Sequence, residues 1–74
     1  MKYYVTFHDY GLCYLTDIGG DTYCQYRLST NPKKKLLFDT KKQALRALKE
    51  MHEWKTRYRL KEPYQEAGWN IVDI

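Results

Sequence analysis

The stretch KKKLLFDTKKQALRALKEM, residues 33–51, decides the interpretation of the chain because it contains the clearest helix start in the sequence. Thr40 is followed three residues later by Gln43, which is the capping-box pattern. In this motif the threonine hydroxyl accepts a hydrogen bond from the N3 amide, and the N3 side chain reaches back to the start of the helix. A helix is therefore predicted to begin at Lys41 and to end before Pro63, since proline cannot continue a helix.

The residues after the cap repeat with helical periodicity and predict one amphipathic helix of four to five turns. The side predicted to be buried carries Ala44, Ala47, Leu48, Met51 and Tyr58. Its flanks carry Leu45, His52 and Trp54. The opposite, solvent-facing side carries Arg46, Lys49, Glu50, Glu53 and Arg57. Such a helix needs an apolar surface to cover, and the rest of the chain offers a sheet.

Strands are predicted on both sides of the helix. Residues 2–10, KYYVTFHDY, alternate with a period of two and are rich in β-favouring side chains. A second strand is predicted at 12–17 and a third at 22–29, joined by a glycine-containing turn. A brief fourth strand is predicted at 36–38, and WNIVDI, residues 69–74, predicts the last. The chain thus alternates strands and a helix in the order β-β-β-(β)-α-β.

Length and composition agree with a single α+β domain, residues 1–74, in which one long amphipathic helix packs on one face of an antiparallel sheet of four to five strands. The chain has a mass of 9.0 kDa and is 43% hydrophobic and 30% charged, which argues against a disordered or fibrous protein. No apolar run approaches the roughly 18 residues of a membrane span. The opening MKYYVTFHDY lacks the apolar core of a signal peptide. We therefore expect a cytoplasmic protein that does not bind membranes.

Two cysteines, Cys13 and Cys24, are too few for the disulfide framework of a small secreted domain. A hairpin that turns about residues 18–19 would place them opposite each other on neighbouring strands. In the reducing cytoplasm we expect them to be free, partly buried thiols rather than a disulfide.

Catalytic and metal-binding patterns are sparse. His8 and His52 could in principle meet a cysteine, but no spacing supports a nucleophilic pair. The chain has neither a CxxC nor an HxxxH pattern, and no glycine-rich phosphate loop follows a strand. We expect a non-enzymatic protein without catalytic residues, metal or cofactor.

The chain carries 13 Lys and Arg residues against 9 Asp and Glu residues, a net charge of +4, and a pI near 9.1. One basic surface is predicted around the helix start, although positive charge there opposes the helix dipole. The second is residues 54–61, WKTRYRLK, where basic and aromatic side chains interleave. The basic surface around the helix start, which we call the lysine cluster, consists of Lys33, Lys34, Lys35, Lys41 and Lys42. The second contributes Arg57, Arg59 and Lys61 beside Trp54 and Tyr58.

Each basic surface has two interpretations at this stage. The lysine cluster is either a solubilising fringe or a surface that binds an anionic partner, because helix amides already favour anions there. Residues 54–61 either contact phosphates and bases, or pack Trp54 and Tyr58 against the core. A third surface is the predicted outward face of the sheet, which suits protein docking because it is rich in tyrosine. Its predicted contact residues are Tyr4, Tyr23, Gln25 and Arg27.

The phrase FDTKKQAL, residues 38–45, resembles sequences in two groups of proteins. Over roughly residues 12–53 it is similar to the arm-binding N-terminal domains of phage and transposon integrases, which implies DNA binding. Over its whole length the chain resembles small accessory proteins of phages and mobile elements, including anti-CRISPR proteins. That likeness rests on the opening KYYV, the helix start and the final WNIVDI, and it implies docking on a host protein or nucleoprotein complex. The sequence leaves open a nucleic-acid-binding module as the alternative, and a monomer or a homodimer.

Overall fold

The computed structural model describes all 74 residues and contains four β-strands and one α-helix. In chain order the elements are β1 (Tyr3–Phe7), β2 (Cys13–Thr16), β3 (Arg27–Ser29), α1 (Lys41–Thr56) and β4 (Trp69–Asp73). Two short 3₁₀ turns, Pro32–Lys34 and Tyr64–Ala67, lie in the connections before α1 and before β4. The predicted α+β class, the helix start at Lys41 and the last strand are confirmed.

The strands form one antiparallel sheet in the order β3-β2-β1-β4, and α1 packs against one face of it. The central strand β1 pairs with β4 over five residue pairs, from Tyr3 opposite Asp73 to Phe7 opposite Trp69. Odd-numbered residues of β1 and β4 face the helix, and the even-numbered ones face away from it. The core between the two layers consists of Val5, Phe7, Leu15, Cys24, Phe38, Ala44, Ala47, Leu48, Met51 and Trp69.

The helix start follows the predicted cap with one difference. Thr40 Oγ1 accepts a hydrogen bond from the amide of Gln43 at 3.1 Å, as the capping box requires. The Gln43 side chain, however, accepts from the amide of Asp39 at 3.2 Å rather than from that of Thr40. At the other end Arg57 adopts a left-handed conformation with φ 62°, and its amide donates to the carbonyl of Glu53. Because the helix stops there, Tyr58 is 77% exposed, and its predicted place on the buried side is wrong.

The predicted third strand is mostly wrong, because residues 17–26 form a loop and only Arg27–Ser29 pair with β2. The Asp21 carboxylate accepts hydrogen bonds from the amides of Tyr23 and Cys24 at 2.9 and 3.0 Å. These amides hold the pKa of Asp21 below its ordinary value. A side chain that binds nearby amides competes with a strand ladder for them, which explains the loop. The loop also removes the predicted alignment of Cys13 with Cys24.

Residues 36–38, predicted as a brief strand, do not form a strand of the sheet. They lie between β1 and β2 in space and form backbone hydrogen bonds to both. The amide of Leu36 donates to the carbonyl of Leu15 at 2.9 Å. Phe38 exchanges two backbone hydrogen bonds with Tyr3, at 2.8 and 2.9 Å. β1 and β2 pair directly only at Thr6 with Tyr14 and at Phe7 with Cys13. Residues 36–38 occupy the gap where the two strands diverge.

Candidate binding surface

The sheet has one face that no helix covers, and we call it the open face. The alternation of the strands places side chains of β1, β2 and β4 on it, together with one residue that follows β1 and one that precedes β2. They surround a shallow groove along β1. The residues that line the open face are Tyr4, Thr6, His8, Leu12, Tyr14, Asn70 and Val72.

Two tyrosines dominate this surface. Tyr4 on β1 and Tyr14 on β2 place their ring centroids 6.0 Å apart with the rings tilted by 35°. They are diagonal neighbours, because Tyr14 lies directly opposite Thr6 in the register of the two strands. Thr6 is small and 4% exposed, and its hydroxyl lies 3.3 Å from Nε2 of His8. The tyrosine rings therefore stand above a tightly packed floor.

The lysine cluster is divided between two parts of the molecule. The 3₁₀ turn Pro32–Lys34 is closed by Asn31, whose side chain accepts from the amide of Lys33. The next residue, Lys35, places its ammonium 5.3 Å from the centroid of the Tyr4 ring, at the border of the open face. Lys33 and Lys34 are exposed beside it.

Lys41 and Lys42, in contrast, are exposed in the first turn of α1, the element that packs on the other face of the sheet. Lys42 shares a shallow surface there with Arg46. The two halves of the predicted cluster therefore belong to different surroundings, and only the first half borders the tyrosines.

The second basic surface is partly occupied within the protein itself. The guanidinium of Arg27 lies 4.9 Å from the centre of the Trp54 ring, and Lys55 Nζ lies 4.3 Å from the centre of the Phe7 ring. Trp54 therefore has one side taken by an intramolecular cation. The exposed members of the segment that remain available to a partner are Arg57, Tyr58, Arg59 and Lys61.

Of the four residues predicted for the sheet face, only Tyr4 lines the open face. Tyr23 and Gln25 lie in the loop of residues 17–26, where Gln25 donates to the hydroxyl of Tyr26. Arg27 is on β3, but its guanidinium is bound to Asp21 at 2.8 Å and to the carbonyls of Cys24 and Tyr26.

Tyr14 and Val72 are open-face residues that sequence reasoning did not select. The period of two in their predicted strands could have found them, once the helix-facing side of each strand was fixed.

His52 has a structural role at the helix side of the sheet. The indole Nε1 of Trp69, a fully buried residue, donates a hydrogen bond to His52 Nδ1 at 3.0 Å. Burial lowers the pKa of His52 below its ordinary value of 6.5, and Lys55 lowers it further, although Glu53 acts in the opposite direction. The imidazole is therefore neutral near pH 7, with its proton on Nε2.

The thiols show no arrangement for chemistry. Cys24 is buried with its sulfur 3.9 Å from the sulfur of Met51, and Cys13 is half-buried on β2. No group of three His, Cys, Asp or Glu side chains is close enough together to hold a metal ion. The open face is a surface to which three strands contribute side chains.

Comparison with known proteins adds no assignment to this geometry. No protein-family model, curated protein or solved structure matches the chain. The single helix is not long and apolar enough to cross a membrane.

Proposed function

We propose that this protein is a non-enzymatic, phage-type binding protein that docks on a host nucleoprotein complex through the open face and thereby inhibits a bacterial defence system, in the manner of anti-CRISPR proteins. The observation that supports docking is the pair of half-buried tyrosines, Tyr4 and Tyr14, on a sheet face without a covering layer. The choice of a defence complex as the partner rests on the resemblance of the sequence to phage accessory proteins.

The composition of the open face fits a protein interface. A sheet normally buries both faces or exposes a polar one, whereas this face presents two tyrosines, a 45% exposed Leu12 and Val72. Tyrosine is enriched at interfaces because its ring is apolar and its hydroxyl can bond at the edge. The border of the face is polar, with Lys35 at one position and His8 at another. An apolar centre with a polar border is the usual anatomy of a specific interface.

The test measures phage growth in bacteria that carry an active CRISPR system. Expression of the wild-type protein should restore plating of a phage that the system targets, and the purified protein should bind the effector complex. Tyr14→Ala should weaken that binding by about 30-fold, the equivalent of the 2 kcal/mol that a central interface aromatic contributes. Tyr23→Ala is the matched control, because Tyr23 is 85% exposed and lies outside the open face.

Two results would contradict the proposal. If the protein protects no targeted phage in any CRISPR type tested, the defence assignment fails. If Tyr14→Ala and Tyr23→Ala bind equally well, docking does not use the open face.

The contact between Lys35 and Tyr4 favours a second candidate, a nucleic-acid-binding module. A base could stack on the tyrosines while Lys33, Lys34 and Lys35 contact phosphates. Such binding should weaken steeply between low and moderate salt, and Lys33→Glu with Lys34→Glu should weaken it more than Lys41→Glu with Lys42→Glu. No measurable binding to DNA or RNA at low salt would eliminate this candidate.

A further inference from the structure

β4 forms an edge of the sheet, and its hydrogen bonding alternates along the strand. The amide of Ile74 donates to the carbonyl of Lys2, and the carbonyl of Gly68 accepts from the amide of His8. Even-numbered residues of this segment therefore bond to β1, as the antiparallel register requires. It follows that the amides and carbonyls of Trp69, Ile71 and Asp73 point away from the sheet.

These outward groups have no partner within the chain. No turn, loop or side-chain hydrogen bond of the structure involves the backbone of Trp69, Ile71 or Asp73. Natural proteins usually protect such an edge with a lysine, a proline, a bulge or a very short strand. β4 has none of these over its five residues, WNIVD.

The opposite edge is protected in several of these ways. β3 is only three residues long, and Arg27 at its start is bound to Asp21. The chain then reaches Asn31 and Pro32, where the 3₁₀ turn begins. The two edges of the same sheet therefore differ, and the edge formed by β4 lacks these forms of protection.

We propose that β4 pairs antiparallel with β4 of a second copy of this chain, about a two-fold axis that passes beside Ile71. The three outward residues are spaced symmetrically around Ile71, so one axis satisfies all of them at once. Ile71 would pair with Ile71 of the second copy, and Trp69 would pair with Asp73 of the second copy. The two sheets would then join into one continuous sheet with both open faces on the same side.

The side chains that would meet across this axis favour a second copy. On the open face Asn70 would lie opposite Val72 of the second copy, in a non-hydrogen-bonded pair where side chains come closest. The strand carries a single charge, Asp73, which would lie opposite Trp69 of the second copy instead of opposite another carboxylate. No like charges therefore oppose each other. Since each copy carries +4 overall, added salt should strengthen the association.

Mass measurement by light scattering and sedimentation, from micromolar to millimolar protein, tests the pairing. The mass should rise with concentration toward twice 9.0 kDa. Ile71→Pro removes an outward amide and places the ring where the second copy would dock, so it should remain monomeric. It also shortens a side chain that packs against the core, so its fold must be checked. Proline is tolerated at an edge strand when the lost amide faces solvent. Circular dichroism checks that the variant is folded.

A charge pair provides a test that does not depend on proline. Asn70→Lys with Val72→Lys places like charges directly opposite each other twice across the axis, which opposes pairing. Asn70→Glu with Val72→Lys replaces them by two opposite-charge pairs and should restore the dimer. A wild-type protein that stays monomeric throughout would overturn the inference, as would a dimer that survives the double lysine variant or is equally absent from both charge variants.

Discussion

The hydrogen bond between Trp69 and His52 allows a quantitative test of what holds the helix to the sheet. Trp69 is 0% exposed, and its indole N–H has no acceptor other than His52 Nδ1, at 3.0 Å. His52→Leu keeps an apolar side chain at the helix position but leaves that donor buried and unpaired. A buried unpaired donor costs about 1–3 kcal/mol. We therefore expect His52→Leu to lower the free energy of unfolding by about 2 kcal/mol.

A loss of that size is easy to measure in a domain of 74 residues. Each 1 kcal/mol corresponds to about 4–8 °C in Tm at this size, so His52→Leu should lower Tm by about 8–16 °C. His52→Asn should lose less, because its amide oxygen can take the place of Nδ1 as the acceptor. Urea unfolding followed by circular dichroism gives the free energies.

The double-mutant cycle with Trp69→Phe isolates the hydrogen bond from the packing of the two rings. In the Trp69→Phe background no indole donor remains, so His52→Leu should cost at least 1 kcal/mol less than in the wild type, or about half its original effect. Equal costs of His52→Leu in the two backgrounds would refute the reasoning.

The same bond makes stability depend on pH. The pKa of His52 is lower in the folded protein than its ordinary 6.5, so the unfolded chain binds the proton more readily. The contribution is fully present above about pH 6.5 and is lost as the pH falls through the folded pKa. The free energy of unfolding of the wild type should decrease over that acidic range more steeply than that of His52→Asn. Parallel pH profiles for the two proteins would contradict this assignment.

Three further predictions concern the core, the helix cap and the loop. Leu48 is 0% exposed between the helix and the sheet, so Leu48→Ala should lower the free energy of unfolding by about 2–5 kcal/mol. A loss below about 1 kcal/mol in urea unfolding would show that the surrounding side chains close the cavity. Thr40→Ala removes the cap bond to Gln43 and should lower the free energy of unfolding by about 1 kcal/mol. Lys41→Glu should raise Tm, because a negative charge at the helix start favours the helix dipole. A Thr40→Ala variant more stable than Lys41→Glu would contradict the assigned cap. Gly20→Ala would place Cβ in collision with the backbone carbonyl of Gln25, so we expect a lower Tm and shifted amide resonances in residues 17–26. An unchanged spectrum would exclude that close approach.

The helix could be predicted from the sequence because its signals are local. Thr40 and Gln43 determine the start within four residues, and the spacing of Ala44, Ala47, Leu48 and Met51 determines the buried side. The strand at residues 69–74 could be predicted as well, because the run WNIVDI is rich in apolar side chains that are costly to leave in water.

The loop of residues 17–26 could not be predicted in the same way. TYCQYRLS has the alternation and composition of a strand, but Asp21 captures the amides of Tyr23 and Cys24 before they can join a ladder. This competition is local, over two and three residues, but the same residues also alternate as a strand does, so the pattern favours both structures. Tyr23 and Gln25, which were predicted on the outward face of the sheet, therefore lie in this loop.

The composition of the open face depends on long-range contacts as well. Lys35 reaches Tyr4 because residues 36–38 turn into the gap between β1 and β2, and nothing in LLF indicates that gap. The bond between Trp69 and His52 joins positions 17 residues apart and is equally hidden. Periodicity determines which side of a strand a residue occupies, but packing determines what covers that side.

The pairing of β1 with β4 brings residues 2 and 74 within hydrogen-bonding distance, 2.9 Å from the amide of Ile74 to the carbonyl of Lys2. A short linker could therefore join these residues without moving either strand. New termini could then be opened at the exposed turn of residues 18–20, which precedes β3. Such a circular permutant would convert the most distant strand pair of the sheet into a local hairpin. β1 and β4 should then pair early in folding, because fewer residues need to be ordered before they meet, whereas β2 and β3 would lie at opposite ends of the permuted chain and should pair last.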